Sequence, residues 1–304
     1  MSDNALRIGT RDSQLALWQA NKVADLLEGL HLKTALVSTK SIGDLDLTQP
    51  IYATGIQGVF TKTLDIALLE NQVDIAVHSL KDVPTQLPEG LILAAVLERG
   101  SARDILVQTH KINLEETATI ATGSLRRKAQ WLHRYPHHQL VNLRGNVQTR
   151  IDKLLSSQWE GAIFAKAGLE RVALLGSHFQ QLEWMIPAPA QGAIGVVCRT
   201  KDEALMEQLK QINHLPTQMC VKIERDFLRI LEGGCSAPIG AHAFVSHEKI
   251  EFKAGVFSLD GQNAATLHNE VEIKGSENLA AYAAQEVLSN GGDEIMKNIK
   301  YSKE

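Results

Sequence analysis

Five times in its first two-thirds the chain repeats one pattern: a short apolar segment, a polar loop rich in Gly, Ser, Thr, Asp or Arg, then apolar residues at helical spacing. The instances are "LRIGT-RDS-QLALWQANKVADLL", "VDIAVHS-LKDVP", "ATIAT-GS-LRRKAQWLHRY", "QLVNL-RGN-VQTRIDKLLS" and "EGAIFA-KAG-LERVALL". The second runs into a Pro turn rather than a clear helix. Strands alternating with helices predict α/β units on largely parallel sheets. Ligands of such sheets bind beyond the carboxyl ends of the strands, where these polar loops fall.

After Pro216 the pattern changes. A helix in "TQMCVKIERDFLRILE" is expected to stop at Gly233-Gly234, alternating segments follow with Asp260-Gly261 as a hairpin turn, and a helix "SENLAAYAAQEVLS" is expected to stop at "NGG". With boundaries near Leu97–Val107 and Asn213–Gln218, the expected domains are residues 1–97 with 193–213 as one α/β lobe, 98–192 as a second, and 216–304 as a small α+β domain.

Composition narrows the function classes. The 304 residues are 44% hydrophobic, ample for ordinary cores, and no apolar stretch reaches the roughly 20 residues of a membrane span. The start "MSDNALRIGTRDSQ" has no basic segment leading into an apolar run, which predicts a cytoplasmic protein. Three cysteines without a C-x-x-C fit a reducing compartment, not a disulfide framework or structural zinc site. A net charge of −4 argues against a nucleic-acid partner and leaves room for local basic clusters. The three histidines of "HRYPHHQ" lack a supporting carboxylate spacing, so no metal site is expected.

Several loops carry charge that could do chemistry. In "GSLRRKAQ", Thr122, Gly123 and Ser124 precede a helical pattern; Ser124 reads as an N-cap, and Arg126 and Arg127 occupy the first turn. Cations are disfavoured at that end of a helix, so two arginines there point to an anion; the competing reading is a solvated pair on an ordinary helix. "LRGNVQTRIDK" repeats the arrangement with Arg144, an Asn146 cap and Arg150, and "GTRDSQLALW" places Arg11 and Ser13 in a third such loop. Three such loops would line a cleft for several anionic groups. "VDIAVHSLKDVP" sets Lys81 and Asp82 at a strand end, where Asp82 is either a turn former or a carboxylate able to stabilise a developing cation.

The cysteines differ in setting. Cys198 and Cys220 lie among apolar neighbours, where a thiol acts as a small hydrophobe, whereas Cys235 stands in "LEGGCSAPIG" between a Gly-Gly pair and a Ser-Ala-Pro turn. That setting leaves room for something bulky at its sulfur.

Together "RIGTRDSQLALWQA", "DIAVHSLKDVP", "GSLRRKAQ", "NLRGNVQTR", "PAPAQGAIGVVCR" and "LEGGCSAPIG" resemble, in order and spacing, the porphobilinogen deaminase (hydroxymethylbilane synthase) family over essentially the whole chain. The resemblance implies two lobes like those of periplasmic binding proteins and a third domain bearing a cofactor cysteine. It implies a dipyrromethane attached by a thioether to Cys235, on which four porphobilinogens are condensed with loss of ammonia to give a linear tetrapyrrole for porphyrin and haem biosynthesis. It assigns Asp82 to catalysis. Lys81, Asp82, Thr122, Ser124, Arg126, Arg127 and Arg144 are implied to hold the cofactor, and Arg11, Ser13, Arg144, Arg150 and Gln191 the substrate. A cytoplasmic monomer with no membrane or nucleic-acid partner completes the expectation.

One segment departs from the family pattern. Where many members have Gly-Gly-Lys-Gly before a Phe, this chain reads "TGIQGVF", with Ile56 and Gln57 in place of the second Gly and the Lys, in a stretch "SIGDLDLTQPIYATGIQG" that reads as a lid. The rival readings are a non-catalytic anion-binding protein with the same two-lobed body, and an enzyme inactivated by the lid substitutions.

Overall fold

The computed structural model describes residues 5–39, 61–231 and 237–301. The expected lid at 41–58, with Ile56 and Gln57, and the turn carrying Gly233, Gly234 and Cys235 lie outside the described residues.

The first sheet has the order β2-β1-β3-β10-β4, from β1 (Leu6–Arg11), β2 (Thr34–Thr39), β3 (Ile75–Ser79), β4 (Leu91–Val96) and β10 (Ile194–Arg199). Helix α1 (Gln14–Glu28) lays Ala20, Val23, Ala24 and Leu27 on it, the spacing of one helical face, against Ile8, Ile75 and Val196. Full burial of Val23 or Leu27 contributes about 1.5–3 kcal/mol each, and each alanine methyl about 0.8 kcal/mol. Every residue of β10 is buried, so neither face of this strand is solvated, and up to its last residue, Arg199, it reads as an apolar run.

The second sheet has the order β7-β6-β8-β5-β9, from β5 (Asp104–Gln108), β6 (Thr119–Ala121), β7 (Gln139–Val141), β8 (Gly161–Ala165) and β9 (Phe179–Gln181). Its core centres on the wholly buried Trp131, whose Nε1–H donates to His138 Nδ1 at 3.2 Å. His138 Nε2 in turn meets Leu114 O at 3.0 Å, so this histidine of the "HRYPHHQ" loop is part of the packing.

Both sheets are mixed rather than largely parallel. β1 pairs in parallel with β2 and β3, and β6 with β7 and β8, but β10 is antiparallel to β3 and β4, and β5 to β8 and β9. The parallel pairs join the strands of the repeated strand-loop-helix units, with β2 added beside β1. The antiparallel strands are those through which the chain passes between lobes, needing no crossover helix.

The two passages run side by side, with Leu97 N–H donating to Ile194 O at 3.0 Å and Gly100 N–H to Gly192 O at 3.2 Å. Gly192 has φ +84°, and a Cβ there would lie 2.6 Å from Ser101 O, so only glycine permits this close approach.

The third sheet is an antiparallel meander of β11 (Ile239–Ser246), β12 (Lys249–Phe257) and β13 (Ala264–Glu272). Its turn carries Gly261 at φ +76°, as the Asp-Gly pair predicts. The helix before it spans Leu215–Ile230, capped by His214, with Pro216 in its first turn; it starts before the expected Thr217 because proline is tolerated there. The "NGG" stop is local: Gly291 at φ +98° kinks the chain, and Asp293–Tyr301 resumes as a helix that the sequence reading did not foresee. Phe227, Phe252, Ala283 and Val287 fill the core between sheet and helices.

Candidate active site

β3 ends in a single 3₁₀ turn, Leu80–Asp82. Leu80 is wholly buried among Val83, Val96, Ala190, Ala193 and Val221, and its N–H donates to Ala193 O at 3.0 Å. With Leu80 so anchored, Lys81 is exposed and Asp82 partly so. Desolvation of the ammonium by the surrounding atoms pulls the Lys81 pKa down to about 8; Asp82 and Asp104 oppose the fall, and Arg127 and Arg126 add to it.

The facing cations come from the second lobe. Ser124 caps the helix Leu125–Arg134 as expected, its Oγ accepting from Arg127 N–H at 3.4 Å, while Thr122 Oγ1 accepts from Ser124 N–H at 3.3 Å. Arg126 and Arg127 are not a solvated pair: they are 5% and 6% exposed. Both grip Asp104, the first residue of β5 and wholly buried, with Arg126 Nη1 at 2.8 Å from Oδ2 and Arg127 Nε at 2.9 Å from Oδ1. Burial alone would raise the Asp104 pKa; the two arginine charges, with hydrogen bonds from Arg126 and Gln191, outweigh it and hold it at about 2.

The anion that the arginine pair calls for is therefore in part built in, and sequence reasoning missed it. The available signal was the acid in "SARDILV", set directly ahead of an apolar strand. Arg126 Nε, also buried, has no hydrogen-bond partner among the described residues.

Asn146 caps the helix Val147–Leu155 through Thr149 N–H at 2.9 Å, and Arg150 Nε donates to Gly145 O at 2.8 Å. Arg144 is 7% exposed. Burial lowers the Arg150 pKa to about 10, with Arg127 and Arg144 pushing the same way and Asp82 opposing. The structure thus brings Lys81, Asp82, Arg126, Arg127, Arg144 and Arg150 within one electrostatic neighbourhood spanning both lobes.

Arg11 ends β1, and Ser13 caps α1 by accepting from Ala16 N–H at 3.4 Å. Arg11 faces the buried His78, whose pKa is held at about 4 by burial and then by that charge. Gln191 is 1% exposed; its Nε2 donates to Ala102 O at 2.7 Å and to Asp104 Oδ1 at 3.0 Å, so in this conformation it reaches the cleft through Asp104 and not by direct contact. Cys198 and Cys220 are buried, and burial pushes both thiols up to about 11, far from the thiolate needed for reaction.

Fold and site together define a two-lobed α/β protein with a small third domain that gathers cations around a carboxylate in an otherwise acidic chain. A family model described as "Porphobilinogen deaminase, dipyromethane cofactor binding domain" matches residues 6–207, and one described as "Porphobilinogen deaminase, C-terminal domain" matches 218–289. Proteins named porphobilinogen deaminase are similar over nearly the whole length. That of Geobacter sulfurreducens is 40% identical, covering 98% of this chain and 96% of that protein, and that of Desulforamulus reducens 39%, covering 97% and 98%. The chain belongs to the porphobilinogen deaminase family, the hydroxymethylbilane synthases of tetrapyrrole biosynthesis, which are transferases using a dipyrromethane cofactor.

Among solved structures, the periplasmic VFT2 domain of Bordetella pertussis BvgS is 11% identical with a TM-score of 0.42, covering 68% of this chain and 86% of that one. An ancestral cationic amino acid solute binding protein is 14% identical with a TM-score of 0.44, covering 68% and 87%. No helix among the described residues is long and apolar enough to cross a membrane.

Proposed function

We propose that this chain performs the family reaction with Asp82 as its catalytic carboxylate, Cys235 as the point of cofactor attachment, and the Arg/Lys set as the carboxylate-binding wall. The observation that carries this reading is the placement of the Lys81–Asp82 turn of one lobe among Arg126, Arg127, Arg144 and Arg150 of the other. Among the described residues Asp82 and Asp104 are the carboxylates that act on Lys81, Asp82 also acts on Arg150, and one buried guanidinium nitrogen, Arg126 Nε, has no hydrogen-bond partner. A group bearing several acetates and propionates suits a wall of such cations. Of the cysteines, the two described are buried with raised thiol pKa values, which favours Cys235.

Arg126, Arg127, Arg144 and Lys81, with the hydroxyls of Thr122 and Ser124, would hold the dipyrromethane carboxylates; when bound, the group supplies the ring carbon from which the chain grows. Arg11, Ser13 and Arg150, with Arg144, are left to hold the carboxylates of incoming porphobilinogen, arginine's planar fork fixing direction as well as charge. As ammonia leaves the substrate, positive charge develops on its pyrrole. Asp82, at the mouth of β3, accepts a hydrogen bond from the pyrrole N–H and stabilises that charge, then takes up the proton released on condensation. Gln191 supports the wall through Asp104.

The domain division that goes with this reading is residues 1–97 with 193–213, 98–192, and 216–304; the presence of three separate sheets supports it. A cytoplasmic monomer accompanies this reading; the cysteine usage supports a reducing compartment. Intact mass of the purified protein, before and after incubation with porphobilinogen, tests the function. The expected mass exceeds that of the sequence by two deaminated porphobilinogen units and rises in unit steps with substrate; a bare-sequence mass that substrate leaves unchanged would overturn the proposal.

A further inference from the structure

Asp82 sits on a turn of only three residues, and what holds that turn comes from the C-terminal domain. From the helix Leu215–Ile230, Arg225 Nη1 donates to Val83 O at 2.8 Å and lies 3.4 Å from Leu80 O, and Nη2 donates to Pro84 O at 2.6 Å. One guanidinium therefore spans the carbonyls on both sides of Lys81 and Asp82. One helical turn earlier, Val221 packs on Leu80 and Val83 from below. Along the sequence the same helix leads into the segment that carries Cys235.

We infer that Arg225 is a positioning residue for the reaction: it fixes the Asp82 turn to the helix that leads to the cofactor attachment point, so that carboxylate and growing chain keep one register. The inference rests on the assignment of Asp82 proposed above. A planar fork suits the task because it meets divergent carbonyls at fixed angles, which an ammonium on a flexible stem does not. Burial lowers the Arg225 pKa, with Asp226 opposing, and the positive charge is satisfied mainly by carbonyl dipoles. Displacements of about 1 Å at a reacting group are enough to cost on the order of 10²-fold in rate.

The setting also supplies a clean variant. Arg225 borders a cavity of about 730 Å³ between the first lobe and the C-terminal domain, lined in part by Leu87, Ile92, Leu93, Met219 and Val245. Arg225→Met extends this apolar lining and keeps the stem's packing while removing every side-chain donor.

The test compares Arg225→Met, Arg225→Lys, Asp82→Asn and the double variant Asp82→Asn/Arg225→Met as holoenzymes, with cofactor loading checked by intact mass. The expected result for Arg225→Met is full loading, KM within about threefold of the parent and kcat lower by roughly 10- to 100-fold. Arg225→Lys should recover part of kcat. The double variant should be little worse than Asp82→Asn alone, because Arg225 acts through Asp82.

Parent-like kcat in Arg225→Met, a change confined to KM, or losses that multiply in the double variant would each overturn the inference. If Arg225→Met fails to fold, Arg225→Lys carries the decision: parent-like kcat overturns the inference, and a kcat loss at constant KM supports it. Near-normal turnover in Asp82→Asn sinks the Asp82 assignment instead, and the two failures are thereby told apart.

Discussion

Arg99 and Glu224 meet in a bidentate ion pair, Nη1 to Oε1 at 2.6 Å and Nη2 to Oε2 at 3.1 Å, at the junction of all three sheets. Arg99 lies on the first passage between lobes, and Glu224, wholly buried, on the helix of the C-terminal domain. The carboxylate also accepts from Ala190 N–H of the second passage at 2.6 Å and from Ala243 N–H of β11 at 2.7 Å. Each oxygen is thus doubly satisfied, and one side chain fastens both passages to the third domain.

Removing one partner of such a pair strands the other charge in a dry site. Glu224→Ala is expected to lower stability by roughly 3–5 kcal/mol, measured by urea unfolding, with the Arg99→Met/Glu224→Met double variant recovering part of the loss. A cost under about 1 kcal/mol would show that the pair is solvated in solution.

Asp104 has the opposite exposure to risk, since two arginines depend on it. Asp104→Asn takes away the carboxylate charge that Arg126 and Arg127 both contact and is expected to destabilise by about 3 kcal/mol or more at pH 7. The folded pKa of about 2 lies below the ordinary 3.8, so this contribution is complete above about 3.8 and lost as pH falls through 2. Unfolding free energies of parent and variant should therefore converge over that window. A gap that stays constant from pH 5 to 2 would show that the charge of Asp104 is not what stabilises the pair.

Asp82→Asn keeps the size and hydrogen bonding of the side chain but removes the charge set against a developing cation. Turnover is expected to fall by about 10²-fold or more while intact mass still shows a loaded cofactor. Steady-state kinetics that match the parent would remove Asp82 from catalysis.

Cys235→Ser is expected to abolish the mass increment, whereas Cys198→Ala and Cys220→Ala should retain it with packing costs of about 1 kcal/mol each. Both of the latter thiols are buried and nearly unionised at neutral pH. Retention of the increment in Cys235→Ser would move the attachment elsewhere.

What the sequence determined by itself is local. Periodicity placed the strand-loop-helix units, the caps at Ser124 and Asn146 and the Asp260-Gly261 turn, because a side chain within a few residues of a backbone N–H decides those conformations regardless of the rest of the chain. Motif order also marked Lys81, Asp82 and the arginines as a set.

Partners distant in sequence were decided only by the tertiary structure. Asp104 meets Arg126 and Arg127 across 22 and 23 residues, and Arg225 meets Val83 and Pro84 across 142 and 141. No local pattern encodes such pairs, since a buried acid ahead of a strand and an arginine on a helix look the same with or without a partner. Sheet polarity was likewise illegible for β5 and β10, because a strand's direction depends on which lobe the chain arrives from. Burial then gives these long-range meetings their weight: desolvation makes an unpaired charge costly, so the folded chain, and not the motif, decides that Arg126 and Arg127 are held against Asp104.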